Sequence, residues 1–178
     1  EVLYNYIFVS FSVFVVGFLD DLRINIKPLY RLIFMIILLF IFIYILPIKV
    51  LNIDIPFLIP LMSSHMFSSI FVLLCFLFVI NGANLIDGFN GLLTINLIII
   101  NIILAYININ NGNLEFSILI ISQIIILLSF LLFNFPSAKI FLGDSGAYTM
   151  GALAGLNVII TNNLNPTFSS FFFCTLLF

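Results

Sequence analysis

The amino-acid sequence predicts an all-α integral membrane protein, built as a polytopic helix bundle. Its 178 residues are 64% hydrophobic and only 7% charged, whereas an ordinary soluble domain has roughly 25% charged residues. The apolar residues form long runs that short polar breaks separate. Because a spanning helix needs ~20 apolar residues, the chain holds about six full spans and the start of a seventh. The composition excludes a soluble globular enzyme.

The apolar runs and polar breaks alternate along the chain. The predicted spans cover residues 2–19, 30–46, 66–80, 92–107, 116–133 and 146–161, and a seventh begins at residue 168. The breaks cover residues 20–29, 47–65, 81–91, 108–115, 134–145 and 162–166. Three prolines in the 47–65 break argue against a spanning helix there. This break is predicted to be an external loop with room for a short hairpin.

We expect one transmembrane domain over residues 1–178, without a soluble lobe and incomplete at both ends. The first residue is Glu rather than Met, and Phe178 lies within an apolar run. Cys75 and Cys174 lie in apolar runs without metal or disulfide spacing, so packing is their predicted role. A net charge of −2 gives no basic surface for nucleic acid.

Successive breaks alternate between the two sides of the membrane. The 20–29, 81–91 and 134–145 breaks share one side, and the remaining three share the other. The first side has four of the five basic residues, against Lys49 alone on the second: Arg23, Lys27, Arg31 and Lys139. The positive-inside rule therefore predicts that the first side is cytoplasmic.

Four of the seven acidic residues lie on that same side, each at the end of a span: Asp20, Asp21, Asp87 and Asp144. Ionisable residues near a bilayer are costly and tend to be functional. Carboxylates suit Mg²⁺, which one or two of them hold together with substrate phosphates. Nearby cations suit an anionic substrate, and nearby glycines allow close backbone approach. This combination favours phosphoryl transfer involving a lipid phosphate at the membrane face.

Three segments then carry a family resemblance: GFLDD at 17–21, NGANLIDGFNGL at 81–92 and FLGDSGAYTMG at 141–151. In this order they resemble the signature motifs of the polyprenyl-phosphate N-acetylhexosamine-1-phosphate transferases. The resemblance implies transfer of a sugar-1-phosphate from a UDP-N-acetylhexosamine to polyprenyl (undecaprenyl) phosphate, releasing UMP. It also implies Mg²⁺, with Mn²⁺ as an alternative, a bacterial plasma membrane with a cytoplasmic active site, and a homodimer in many members.

The resemblance also implies roles for individual residues. Asp144 and Asn84 match metal-site positions, and Asp20, Asp21 and Asp87 match catalytic acids, the first of which is often proposed as the base. Asn134 and Phe141 match positions that hold the uracil, Phe141 by stacking. Asn90 stands where many members have Asp. The remaining candidates for substrate binding are Asn81, Gly88, Gly143, Lys27 and Arg31.

Simpler interpretations stay open for several residues. Asp20 and Asp21 could be a solvated helix end, Asp87 a turn residue, and Asp144 an N-cap. Arg31 could anchor its helix at the phosphate layer. Asn134 could form an interhelical hydrogen bond, and Phe141 could pack in the core.

Three other functions compete with the transferase. A transporter or channel would have acids spread across the membrane depth. An intramembrane aspartyl protease would have no use for the Asn-rich middle motif. The clustered motif of CDP-alcohol phosphotransferases is absent from the sequence.

Overall fold

The computed structural model of the chain describes residues 2–22, 27–46 and 48–177. Within these residues the chain forms eight helices and no strand. They are α1 (Val2–Asp21), α2 (Pro28–Ile45), α3 (Ile59–Met62), α4 (His65–Ile86), α5 (Leu92–Asn110), α6 (Leu114–Asn134), α7 (Gly143–Leu164) and α8 (Ser170–Leu176). The all-α prediction is confirmed. Arg23 and the side chain of Cys174 lie outside the described part of the chain.

Five of these helices are long and apolar enough to cross a membrane: α1, α2, α4, α5 and α6. The chain is therefore a multi-pass membrane protein. The sixth predicted span, residues 146–161, lies within α7, which has 22 residues but a less apolar composition. Helix α7 packs against α1, α4 and α5, so most of its surface contacts protein. Its small and polar residues suit this central position.

Small residues let α4 and α7 pack closely in opposite directions. A Cβ at Gly151 would lie 2.7 Å from Cβ of Ala83, and a Cβ at Gly155 would lie 3.6 Å from the Phe76 ring. The end of α4 therefore lies beside the start of α7. This places the 81–91 break at the same end of the bundle as Asp144.

At the opposite end of the bundle, hydrogen bonds join two breaks that were predicted to share a side, 47–65 and 162–166. The Asn163 side chain donates to the carbonyl of Lys49 at 2.7 Å, and the amides of Asn52 and Asn162 each donate to the other's backbone carbonyl at 2.9 Å. The predicted hairpin between residues 47 and 65 is wrong. Its described residues form irregular backbone and the single turn α3, because Pro56 and Pro60 cannot donate ladder hydrogen bonds.

A buried polar cluster joins four helices in the middle of the bundle. Asn157 of α7 donates to Asn101 of α5 at 2.9 Å and to Gln123 of α6 at 2.8 Å. The Tyr6 hydroxyl of α1 donates to the Asn157 side-chain oxygen. All four side chains are buried. Because each contributes to the cluster, the network fixes the relative height of α1, α5, α6 and α7.

Candidate active site

Two carboxylates from different helices meet at one guanidinium. Asp20 stands in the last turn of α1, Arg31 in the first turn of α2, and Asp144 in the first turn of α7. Nη1 of Arg31 donates to Oδ2 of Asp20 and lies 3.4 Å from Oδ2 of Asp144. With Asp21, these residues form what we call the acidic corner. Three carboxylates and one guanidinium leave it with two negative charges.

The second acid of the pair, Asp21, has a different task. Its Oδ1 accepts a hydrogen bond from the Asp144 backbone N–H at 2.9 Å, and its Oδ2 accepts one from Ser145 N–H at 3.0 Å. These are free N–H groups at the start of α7, so Asp21 caps that helix from outside. The interpretation of Asp144 as an N-cap is wrong, because its carboxylate faces Arg31 and caps no N–H group among the described residues of α7.

Glycines permit this close approach of α1 to α7. A Cβ at Gly17 would lie 2.5 Å from Cα of Ser145 and 2.6 Å from the carbonyl oxygen of Asp144. Gly143 has a φ of +68°, and a Cβ there would lie 2.9 Å from both carboxylate oxygens of Asp21. Gly143, which was predicted to bind substrate, therefore makes room for the Asp21 carboxylate.

The middle motif forms the end of α4. Asn81, Asn84 and Asp87 follow one another at intervals of three residues, so they share one side of the helix, and all three are half-buried. Asn81 donates to the Leu77 carbonyl of its own helix at 2.6 Å. Burial raises the pKa of Asp87 above its ordinary value. No hydrogen bond between described residues joins this stretch to the acidic corner.

Asn134 joins the other two breaks at this end. Its Oδ1 accepts a hydrogen bond from the Gly91 N–H at 2.6 Å, and its amide donates to the Ile140 carbonyl at 2.8 Å. The side chain is buried. Asn90 adds a second link by donating to the Pro136 carbonyl at 3.2 Å. Contact of Asn134 or Asn90 with a uracil base stays a prediction.

Phe141 is 71% exposed, so it does not pack in the core. It directly precedes the first turn of α7, and its ring is free to stack on a planar ligand. Lys27 and Gly88 are exposed as well. Their contact with substrate also stays a prediction.

The acidic corner offers hard oxygen donors to a cation. Asp20 and Asp144 converge closely enough to share one positive group, the Arg31 guanidinium. Mg²⁺ is usually held by one or two such carboxylates while phosphates and water complete its shell. Asn84 makes no hydrogen bond to Asp144. Across the described residues, no group of three or more His, Cys, Asp or Glu side chains is placed to hold a metal ion by itself.

Sequence reasoning missed three residues of this site. Gly17 and the backbone of Ser145 shape the contact between α1 and α7. Tyr148 lies fully buried under Arg31, whose Cζ is 5.7 Å from the ring centroid. Their positions in the motifs were visible, since Tyr148 follows Asp144 by four residues. Which helix Tyr148 would face was not.

The fold and the site together define a class of protein: a multi-pass membrane protein with a carboxylate cluster at one end of its helix bundle. Residues 3–162 match the model of glycosyl transferase family 4, and the chain belongs to this family.

Eight curated relatives carry the name phospho-N-acetylmuramoyl-pentapeptide-transferase. The relative from Streptococcus thermophilus is 34% identical over 148 residues, covering 78% of this chain and 43% of its own length. That of Clostridium perfringens is 33% identical over 109 residues, covering 61% of this chain and 34% of its own length. The chain thus spans less than half the length of these relatives.

Proposed function

We propose that this protein transfers N-acetylhexosamine-1-phosphate from a UDP-sugar to a polyprenyl phosphate, in the membrane stage of cell-wall polysaccharide synthesis. An oxygen of the lipid phosphate attacks the phosphorus that carries the sugar, and the bond to the bridging oxygen of UMP breaks. The lipid diphosphate sugar and UMP are the products. The observation that carries this proposal is the convergence of Asp20 and Asp144 on Arg31.

The charge of the acidic corner supports a metal-dependent reaction. Two excess negative charges would repel a diphosphate, so an added divalent cation is required there before an anionic donor can bind. We assign Mg²⁺ to Asp144, with Asn84 at the same end of the bundle as the second candidate ligand. The ion would neutralise charge on the phosphate oxygens, which is its usual contribution to phosphoryl transfer.

The remaining predicted residues receive roles around this centre. Asp20 is the candidate base for the lipid phosphate, and Asp21 holds the start of α7. Asp87 is the half-buried acid of the middle motif. Phe141 stacks on the uracil. The substrate face is cytoplasmic, as the distribution of basic residues predicts, and the family resemblance implies a bacterial plasma membrane.

An ion path is disfavoured by the placement of the acids. The described acids stand at the two ends of the bundle, with Asp54 and Glu115 exposed at the end opposite the acidic corner. The buried polar groups between them are amides, hydroxyls and a tyrosine that largely bond one another. No charged side chain of the described residues lies in the middle of the bundle.

The test is UMP release by the complete protein in liposomes with Mg²⁺ and undecaprenyl phosphate. The donor panel contains UDP-N-acetylglucosamine and the UDP-N-acetylmuramoyl-pentapeptide that the relatives' name suggests. We expect UMP only when lipid phosphate and Mg²⁺ are both present. Asp144→Asn should remove the activity, while Glu115→Gln should retain it. Folded protein that releases no UMP from any donor contradicts the proposal, and an ion-flux assay on the same liposomes then tests the transporter.

A further inference from the structure

Tyr148 contacts the cation of the acidic corner from below. It stands one turn after Asp144 on α7, and its side chain has no exposed surface. Cζ of Arg31 lies 5.7 Å from the centroid of its ring. A guanidinium within about 6 Å of an aromatic face is attracted by the negative charge of that face. The contact is therefore close enough to hold Arg31 in place.

Arg31 gains from such support because its side chain extends to a helix that α2 does not mainly pack against. Helix α2 packs mainly against α1 and α4, yet the guanidinium of Arg31 lies near Asp144 of α7. A long side chain loses many rotamers when it is fixed. The planar guanidinium can stack on a ring while its edge donates to carboxylates. Tyr148 thus supplies the face, and Asp20 and Asp144 supply the edge contacts.

The ring, rather than the hydroxyl, makes this interaction. The Tyr148 hydroxyl is buried and has no hydrogen-bond partner among the described residues. A buried hydroxyl without a partner lowers stability, so it does not explain why the side chain is placed here. A phenylalanine ring would offer Arg31 a similar face. This difference between ring and hydroxyl makes the contact testable.

We propose that Tyr148 is a positioning residue, whose buried ring holds the Arg31 guanidinium between Asp20 and Asp144 so that it faces the diphosphate of the donor. The catalytic part of this inference rests on the proposed function. Arg31 is the cation of the acidic corner, and its free donors are suited to phosphate oxygens. Without the ring, Arg31 is held by carboxylates alone and binds the donor less well.

The experiment is a double-mutant cycle on UMP release by the complete protein. Tyr148→Phe should keep near-normal kcat/KM, since it keeps the ring. Tyr148→Leu should lower kcat/KM by about two- to thirtyfold, the range of a cation–π contact, mainly through a higher KM for the UDP-sugar. In an Arg31→Gln background the same change should cost less than twofold. An equal loss in both backgrounds would show a packing role only and overturn the proposal.

Two further measurements keep the result decisive. If Tyr148→Leu does not fold, fluorinated phenylalanines at position 148 keep the volume and weaken the ring face. Activity should then fall stepwise with fluorination, and an unchanged activity overturns the proposal. If the unmodified protein releases no UMP, the proposed function fails by itself. The melting temperatures of the unmodified protein, Tyr148→Leu, Arg31→Gln and the double variant then test the contact. If Tyr148→Leu lowers the melting temperature equally with and without Arg31, the contact is excluded.

Discussion

Asp21 caps the helix that carries Asp144: its Oδ1 accepts a hydrogen bond from the Asp144 backbone N–H at 2.9 Å. Its second oxygen accepts from Ser145 N–H at 3.0 Å. The end of α1 therefore fixes the start of α7, and with it the position of the Asp144 carboxylate. Adjacent residues of a helix point about 100° apart, which is why Asp20 can face Arg31 while Asp21 faces α7.

This arrangement predicts that Asp21 acts through structure as well as charge. Asp21→Ala should lower the free energy of unfolding by about 1 kcal/mol, the usual cost of losing a helix cap. Asp21→Asn keeps one acceptor oxygen and should lie between Ala and the unmodified protein. Thermal unfolding of the detergent-solubilised protein measures the effect. Equal melting temperatures for all three proteins would contradict the capping role.

Gly17 sets the distance between α1 and α7. Gly17→Ala should push the helices apart and lower both stability, by about 1–3 kcal/mol, and UMP release, because its Cβ would meet the backbone of Asp144 and Ser145. Gly82→Ala is the matched control. It lies in a helix of the same bundle, and a Cβ there meets nothing within 4 Å. A Gly17→Ala protein as stable as the Gly82→Ala protein would refute the close contact.

The sequence pattern correctly predicted which breaks between helices lie at the same end of the bundle. Counting breaks along the chain placed Asp20, Asp87 and Asp144 at one end, and the hydrogen bonds of Asn134 and Asn163 confirm both groups of loops. This counting works because each long apolar run crosses the membrane once, so successive breaks fall on alternating sides. It needs no knowledge of which helices are neighbours.

Neighbour relations were outside the reach of the sequence. Nothing in the runs of α2 and α7 indicated that Arg31 would lie over Tyr148, since many helix orders satisfy the same hydropathy. Asn134 matched a nucleotide-binding position, yet both ends of its amide bond backbone groups of this chain. The central place of α7 had a readable signal in its small residues, Gly151 and Gly155 among them.

Asn157 is predicted to contribute most of the stability of the mid-bundle polar cluster. Asn157→Ala removes its hydrogen bonds to Asn101, Gln123 and Tyr6 and leaves their polar atoms unpaired. At ~0.6 kcal/mol for each interhelical bond, the loss is about 2 kcal/mol. Ser129→Ala, which removes a hydrogen bond within one helix, should change the melting temperature little. A similar shift in both variants would show that the cluster adds nothing.

Phe141 is predicted to bind the nucleotide. Phe141→Ala should raise the KM for the UDP-sugar about tenfold with a smaller change in kcat, because a base–aromatic stack is worth roughly 1–3 kcal/mol. Phe11→Ala removes a similarly exposed ring from α1 and should leave KM unchanged. Initial rates of UMP release at varied donor concentration separate the two parameters. An unchanged KM in Phe141→Ala would refute stacking.

Asp87 should lower stability at neutral pH while serving activity. Burial raises its pKa in the folded protein above the ordinary value of 3.8, so the folded state holds the proton more tightly than the unfolded state. The stability that this proton contributes is complete below the unfolded pKa, and it is lost as the pH rises through the folded pKa. Asp87→Asn removes the ionisation and should therefore be more stable than the unmodified protein at pH 7.

The comparison is made by thermal unfolding across a pH series. Asp87→Asn should gain in melting temperature over the unmodified protein as the pH rises from about 4 to 7, and it should release little UMP at any pH. Glu115→Gln removes one negative charge from an exposed position and controls for net charge. A gain that is the same at every pH would show that the ionisation of Asp87 is not its cause. A stabilised Asp87→Asn protein that stays active would remove Asp87 from the catalytic set, because the cost of burying its charge would then serve no chemistry.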